Sequence, residues 1–358
     1  MSRPTLALID LAALTQNLSD LIAVNRNSKI VSVVKADAYG NGAVPVARAI
    51  QQQSDILAVA FIDEALALVD SGITKPILVL QGPHTEDDFA RGAHADIIWM
   101  MHSQWQLDAY HAYVHTQSTY PKAWFKFDTG MHRLGLPCDR FSEILSANQA
   151  LINEHTVIVS HLACADEPEQ DHANHQISRF LQLAKQSGLP LCIANSAAAM
   201  RFEQARQDYV RIGIAMYGAT PFQVFDNPMQ LRPVMQLNSE IIALRTIPAG
   251  DTVGYGATWQ ATQQTVIATV ALGYADGYPR HAPIGTPAWC NNQRIHLVGR
   301  VSMDMLTFDV SHLAEPKIGD MVQLWGDKLP INEVAEHVGT IGYELMTRVS
   351  ARVPRAYT

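Results

Sequence analysis

Lys35 is the residue whose place in the chain first suggests chemistry. It closes an apolar, β-branched run, Lys29-Ile-Val-Ser-Val-Val34, that reads as a buried strand. A turn carrying Tyr39, Gly40 and Gly42 follows. A charged amine at the end of a buried strand is costly unless it has a partner or a task. The task that fits is imine formation with an aldehyde cofactor, because a partly desolvated lysine loses its proton more readily and becomes nucleophilic. A lysine that snorkels from a strand end fits this segment equally well.

The elements that must position Lys35 extend the argument. Eight strand-like runs occupy residues 29–35, 55–61, 76–81, 95–101, 122–127, 156–162, 189–194 and 209–214. Between them lie helical patterns at 43–53, 63–71, 103–113, 140–148, 170–187 and 197–207, and an amphipathic stretch at 11–25 precedes the first strand. Strict alternation implies a parallel sheet with right-handed crossovers. Eight such units in this length predict an α/β fold, a (β/α)8 TIM-type barrel. A doubly wound open sheet is the competing architecture, but no Gly-x-Gly-x-x-Gly follows an early strand.

Active sites of such barrels lie at the carboxyl ends of the strands. Lys35 ends the first strand. Lys126, Asp128, Thr129, Gly130 and Arg133 follow the fifth, and His161 the sixth. Asn195 and Ser196 end the seventh. Arg211 lies in the eighth, which runs on into Gly213, Ile214 and Tyr217. Polar groups from several strands therefore converge on one mouth.

After Pro221 the texture changes. Residues 221–228 read as a linker, and strand-like runs follow at 234–246, 265–272, 295–301, 305–310 and 321–325, with one short helix at 331–338. The expected division is a barrel over 1–228 and a mostly β C-terminal domain over 229–358. Hydrophobic residues make up 48% of the chain, enough for full cores, and the net charge of −8 comes with no Lys/Arg block. That argues against nucleic acid or an anionic membrane as partner. The four cysteines are widely spaced with no Cys-x-x-Cys, the first ten residues lack a signal-peptide core, and no apolar run approaches a bilayer span. The expectation is a cytoplasmic protein without a structural metal.

Seven motifs, in order and across both halves, carry a resemblance. They are Val34-Lys-Ala-Asp-Ala-Tyr-Gly, Lys126-Phe-Asp-Thr-Gly-Met-His-Arg-Leu-Gly, Asn195-Ser-Ala-Ala, Arg211-Ile-Gly-Ile-Ala-Met-Tyr-Gly, Gly254-Tyr-Gly-Ala-Thr, Gly273-Tyr-Ala-Asp-Gly-Tyr-Pro-Arg and Gly299-Arg-Val-Ser-Met-Asp. Together they resemble the alanine racemases that depend on pyridoxal 5′-phosphate. The resemblance implies interconversion of L- and D-alanine, either to supply D-alanine for peptidoglycan or to degrade it.

It also implies a role for each matching residue. Lys35 would hold the cofactor and act as one acid/base. Tyr255, from the C-terminal domain of a partner chain, would be the other, on the opposite face, as racemisation requires. A homodimer with shared active sites follows. Tyr39, Ser196 and Tyr343, with amides near Gly213 and Ile214, would hold the phosphate beside Asn195. Arg211 would face the pyridine nitrogen and, being permanently charged, leave it unprotonated. Arg133 would bind the substrate carboxylate, oriented by a carbamylated Lys126. His161 would hydrogen-bond Tyr255. Met303 and Asp304 would contribute to the partner's substrate pocket, and Asp166, Tyr274, Arg280 and Arg300 would line an access corridor.

Three positions depart from the family pattern. Asn41 and Cys192 stand where histidines are usual, and Ser302 where cysteine is frequent. Cys192 bears on Arg211, because a thiol is a poor hydrogen-bond partner. A racemase of broader specificity, a barrel decarboxylase of the same cofactor class and a non-catalytic cofactor-binding protein are the alternatives. The last two fit poorly with Tyr255 and a C-terminal domain of this size.

Overall fold

The computed structural model describes residues 3–117, 120–185, 187–222 and 228–358. Eight parallel strands form the barrel: Lys29–Val33, Ile56–Val59, Ile77–Val79, Ile97–Met101, Lys122–Asp128, Val157–Val159, Leu191–Cys192 and Tyr209–Ile212. Each pairs with the next, and the eighth returns to the first with Arg211 opposite Val31, so the sheet is closed. The strands are continuous apolar runs because helices cover their outer face and side chains fill the interior. The expected (β/α)8 architecture is present, with a mostly antiparallel β unit after it.

The seven helices expected in the barrel half are found at Leu11–Val24, Ala43–Ile50, Ile62–Asp70, Gln104–Gln117, Phe141–Ala147, Asp171–Ala184 and Ser196–Arg201. Asp10 caps the first by accepting from the Ala13 N–H at 2.7 Å. Helix Asp87–Gly92, between the third and fourth strands, was not expected from its short polar sequence. Most of the expected linker, residues 223–227, lies outside the described residues.

In the second sheet, Met235–Ile247 pairs with Met321–Trp325 through its first half and with Thr265–Val270 through its second. Leu306–Asp309, Gln293–Leu297 and Pro287–Cys290 complete the ring between those two. Two further strands extend this sheet from the chain ends. Leu6–Ile9 pairs antiparallel with Met235–Ile247 and parallel with Arg355–Tyr357. Neither was visible as a strand in the sequence.

Two contacts bring this second unit back to the barrel mouth. Helix Gly342–Arg348 packs on the turn after the first barrel strand, so closely that a Cβ at Gly40 would lie 2.3 Å from the Met346 carbonyl oxygen. Arg355 donates from Nε to the Gly40 carbonyl at 3.2 Å, from Nη1 to the carbonyls of Ser350 and Val353, and from Nη2 to that of Val349. No helix among the described residues is long and apolar enough to cross a membrane.

Candidate active site

A cavity of about 690 Å³ opens at the carboxyl ends of the barrel strands. It is lined by Lys35, Tyr39, Lys126, Arg133, His161, Asn195, Ser196, Arg211, Gly213, Ile214 and Tyr343. These residues come from five strand ends, the first and the fifth to eighth, and from one helix of the second unit.

Lys35 enters through an unusual backbone. Ala36, Asp37, Ala38 and Tyr39 all have φ between 51° and 55°, a left-handed turn built from non-glycine residues. Left-handed conformation costs an L-residue about 1–2 kcal/mol, so four in succession hold on the order of 4–8 kcal/mol of strain. The surroundings fix it. Ala38 and Gly40 N–H groups close on the carbonyls of Val34 and Ala36 at 2.9 and 3.0 Å. Asn41, fully buried, donates to the Ala38 and Tyr39 carbonyls. The Lys35 amine is shifted down by burial and then by Arg133 and Arg211, with Glu64 opposing. A larger neutral fraction is the state that attacks an aldehyde.

Arg211 is 5% exposed and has no carboxylate partner among the described residues. Its Nη1 donates to the carbonyl and Sγ of Cys192 at 3.2 and 3.1 Å. Its Nη2 donates to the Ser160 and Ile193 carbonyls and to His161 Nδ1 at 2.9 Å. The concern raised by Cys192 is met by geometry: three carbonyls and an imidazole hold the arginine where the thiol alone would not. Because a guanidinium only donates, His161 Nδ1 is an acceptor and the ring proton sits on Nε2. Burial, then Arg211 and Lys126, push the His161 pKa well below its ordinary value, so the ring is neutral. Its contact within one chain is Arg211, not Tyr255.

Lys126 is buried at the end of the fifth strand, and its pKa is lowered to about 8 by burial and then by Arg211 and Arg133. Arg133 follows a turn in which Asp128 accepts from the N–H groups of Gly130, Met131 and His132 at 2.9–3.1 Å. It lines the cavity without an ion pair among the described residues.

At the opposite end, Tyr39 packs between Tyr217 and Tyr343 with the rings tilted at 35° and 47°, their centroids 4.9 and 5.9 Å apart. Burial pushes the Tyr39 and Tyr343 hydroxyls far up, so both remain protonated donors. Asn195, not Ser196, caps the following helix, accepting from the Ala198 N–H. Ser196 Oγ instead accepts from the Gly213 N–H at 2.8 Å, which occupies that amide and leaves the serine proton to donate. A Cβ at Gly213 would lie 2.6 Å from the Tyr39 hydroxyl, so glycine there keeps this seat open.

The remaining expected residues stand apart from the cavity in one chain. Tyr255 is 69% exposed and lies on a turn between Gly254, at φ 78°, and Gly256, at φ 75°. That turn rests on Arg300: an added Cβ would meet the Arg300 backbone nitrogen at 3.2 Å from Gly254 and Arg300 Nη1 at 3.0 Å from Gly256. Tyr274 and Ala275 donate to the carbonyls of Ser302 and Met303. The motifs carrying Tyr255, Tyr274, Arg300 and Met303 therefore form one cluster of the second unit. Met303, Asp304, Arg280 and Arg300 are exposed, and Asp304 pairs with Arg352 at 2.7 Å. Asp166 is exposed on the barrel and close enough to Tyr343 to disfavour its ionisation.

Sequence reasoning missed Glu64, whose carboxylate accepts from the Ala36 and Ala60 N–H groups at 2.6 and 2.7 Å. The one signal was an acid in the first turn of its helix. It also missed Ile341, Glu344 and Thr347, which close one side of the cavity beside Tyr343. The residues present fit pyridoxal phosphate: an amine with its proton loosened, an arginine without an anion, and a pocket of protonated hydroxyls kept open by Gly213.

Comparison with known proteins agrees with this geometry. The family model described as alanine racemase, N-terminal domain, matches residues 9–221, and that for the C-terminal domain matches 234–357. The alanine racemase of Alteromonas mediterranea is 44% identical over 355 residues, covering 99% of both chains. That of Haemophilus influenzae is 42% identical over 360 residues, again 99% of both. Among solved structures, the biosynthetic alanine racemase from Pseudomonas aeruginosa superposes with a TM-score of 0.95 at 38% identity over 99% of each chain. The Acinetobacter baumannii enzyme gives 0.93 at 36%, covering 99% of this chain and all of that one.

Proposed function

Because this chain belongs to the alanine racemase family over nearly its whole length, we propose that it interconverts L-alanine and D-alanine through residues drawn from two copies of itself. The family's cofactor is pyridoxal 5′-phosphate. When bound, it supplies an imine and an electron-withdrawing ring that acidify the α-proton of the amino acid. The observation that carries the reading is the meeting in one cavity of Lys35, Arg133 and Arg211 with the hydroxyls of Tyr39, Ser196 and Tyr343.

Lys35 is the covalent anchor and one acid/base. Tyr39, Ser196 and Tyr343 would hold the phosphate by donating hydrogen bonds to it. Arg211 would donate to the pyridine nitrogen and, being permanently charged, would leave it unprotonated, so that the bound group withdraws less charge and the proton returns to the α-carbon in preference to transamination. Arg133 pairs with the alanine carboxylate. Lys126, with a pKa near 8, has enough neutral amine to take up carbon dioxide, and the carbamate so formed orients Arg133.

Racemisation needs a second acid/base facing the first. In one chain Tyr255 is exposed on a glycine-framed turn away from the Lys35 cavity, which supports its delivery to the cavity of a partner copy, together with Met303 and Asp304. There the Tyr255 oxygen would accept from His161 Nε2–H and, as the phenolate, take the α-proton of L-alanine, becoming the hydroxyl that returns a proton on the same face, and leave Lys35 to serve the D-enantiomer. Asp166, Tyr274, Arg280 and Arg300 form the approach to the shared site. Four free cysteines support a cytoplasmic location.

The test is subunit mixing. A Lys35→Ala chain and a Tyr255→Phe chain, each inactive alone, recover activity together, because one of the two hybrid sites is wholly wild type. No recovery, with subunit exchange verified, overturns the shared site. A chain that racemises L-serine or L-lysine as fast as L-alanine overturns the substrate reading in favour of a broad-specificity racemase.

A further inference from the structure

The left-handed turn after Lys35 raises a question that the reaction chemistry leaves open, namely what holds it. Four consecutive non-glycine residues with φ above 50° do not keep that shape unaided. The turn's own hydrogen bonds close its backbone but do not tie it to the barrel. Asp37 ties it forward to the helix that follows, by accepting from the Ala43 N–H at 2.7 Å, and Glu64 ties it to the neighbouring strand. Glu64 sits in the first turn of the helix after the second barrel strand, and its two oxygens divide between two backbone amides. Oε1 accepts from Ala36 N–H at 2.6 Å, directly after Lys35, and Oε2 accepts from Ala60 N–H at 2.7 Å, directly after the second strand.

We propose that Glu64 is a positioning residue, whose carboxylate clamps the turn after Lys35 to the end of the neighbouring strand and so sets where the lysine amine stands. The clamp works because a carboxylate offers two equivalent acceptors and a charge, and charge-assisted hydrogen bonds to amides are short and strong. No neutral side chain of the same length does both. Glutamine carries one acceptor and one donor, and its donor would oppose an N–H.

Glu64 also bears on the amine's charge. It opposes the downward pull on Lys35 exerted by burial, Arg133 and Arg211. Lys126 and His161 share the cavity, Lys126 as a further positive neighbour. Position and charge are separable, because removing the carboxylate moves them in opposite senses. Misplacing the amine slows its reaction with an aldehyde at every pH. Removing the negative charge lowers the Lys35 pKa, so the neutral form appears at lower pH.

The proposal rests on Lys35 as the cofactor lysine, and borohydride reduction of the loaded wild-type chain followed by peptide mapping checks that first. A pyridoxyl label elsewhere refutes the Lys35 reading. With the label on Lys35, the full-length chain is stripped of cofactor, and the rate at which added pyridoxal phosphate becomes covalently bound is followed from pH 6 to about pH 10, spanning the ordinary lysine range. Glu64→Gln is expected to lower the high-pH plateau at least about tenfold, the loss that goes with one broken charge-assisted bond and one unpaired amide. Its midpoint moves to lower pH. Glu64→Asp keeps the charge but is one methylene too short to bridge both amides, so it lowers the plateau with less change in midpoint. An unchanged plateau in both variants overturns the proposal, and a shifted midpoint alone assigns Glu64 a purely electrostatic role. Hydrogen exchange on the wild-type chain supplies a reading that needs no variant. The Ala36 and Ala60 amides are expected to be protected together, and rapid exchange of either in the folded protein overturns the clamp.

Discussion

Gly213→Ala is a small change with a calculable effect. The added methyl would lie 2.6 Å from the Tyr39 hydroxyl and 3.4 Å from its Cζ. Unstrained contact needs about 3.5 Å, so the hydroxyl must retreat by roughly 1 Å. It has little room, since Tyr39 is 8% exposed and packed between Tyr217 and Tyr343. If Tyr39 donates to the cofactor phosphate, a displacement of that size breaks one hydrogen bond to a charged group. Such a bond is worth about 1.5–3 kcal/mol, so the cofactor Kd should rise by roughly 10- to 150-fold. Spectroscopic titration of the cofactor-free chain measures it, with thermal unfolding to show that the variant folds. Tyr39→Phe should give a similar loss, and the double variant little more, because both remove one interaction. A Kd within about twofold of wild type in folded Gly213→Ala, or full additivity in the double variant, would remove Tyr39 from the phosphate seat.

Two further outcomes test the site. Tyr255→Phe should retain bound cofactor while exchanging the α-proton of L-alanine with deuterium at least about 100-fold more slowly than wild type, the ordinary contribution of a placed acid/base; wild-type exchange would remove Tyr255 from the L-face. Arg211→Glu places a carboxyl against the carbonyls of Ser160, Cys192 and Ile193, where it holds a proton that it can share with the pyridine nitrogen. More pyruvate per racemisation turnover is then expected, and an unchanged ratio with cofactor fully bound means that Arg211 holds the ring without tuning it.

How much of this was legible depends on where the signal lives. The barrel was readable because its strands are buried on both faces, which leaves apolar runs at a regular spacing between amphipathic helices. Leu6–Ile9 and Arg355–Tyr357 were not, because each is held by pairing with residues more than 200 positions away or with the opposite chain end. Strand-end residues such as Lys126, His161 and Arg211 were readable as a set, since barrel geometry brings them together whatever their neighbours. Glu64 was not, because its partners are backbone amides that carry no residue identity. Asn195 and Ser196 show the same limit: either could cap the helix, and only the Gly213 N–H, delivered by the next strand, decides between them. The left-handed turn lay further still from the sequence, as alanine disfavours positive φ and aspartate visits it only as a single residue, not in a run of four.

The charges around the cavity lead to a last prediction. Lys35, Lys126, Arg133 and Arg211 line it, against Glu344 alone among the carboxylates. The lysines feel this crowding: after burial, it is arginine that lowers both. An anion in the cavity reverses that pressure, raising each lysine pKa and coupling anion binding to proton uptake. The sign follows. A group whose pKa rises on binding makes binding tighter as pH falls through its value in the free chain. For Lys126 that value is about 8. Sulfate carries no titrating proton in this range, so its affinity for the cofactor-free chain isolates the protein's contribution. Between pH 9 and pH 7 the charged fraction of a group with this pKa grows about tenfold, and sulfate should bind more tightly by up to that factor. Calorimetry in carbon dioxide-free buffer, which keeps Lys126 an amine, measures the change, and Lys126→Gln should flatten the profile. A wild-type affinity that is independent of pH would mean that Lys126 is already charged at pH 9, and that the amine proposed for carbamylation is not one that the cavity has made ready.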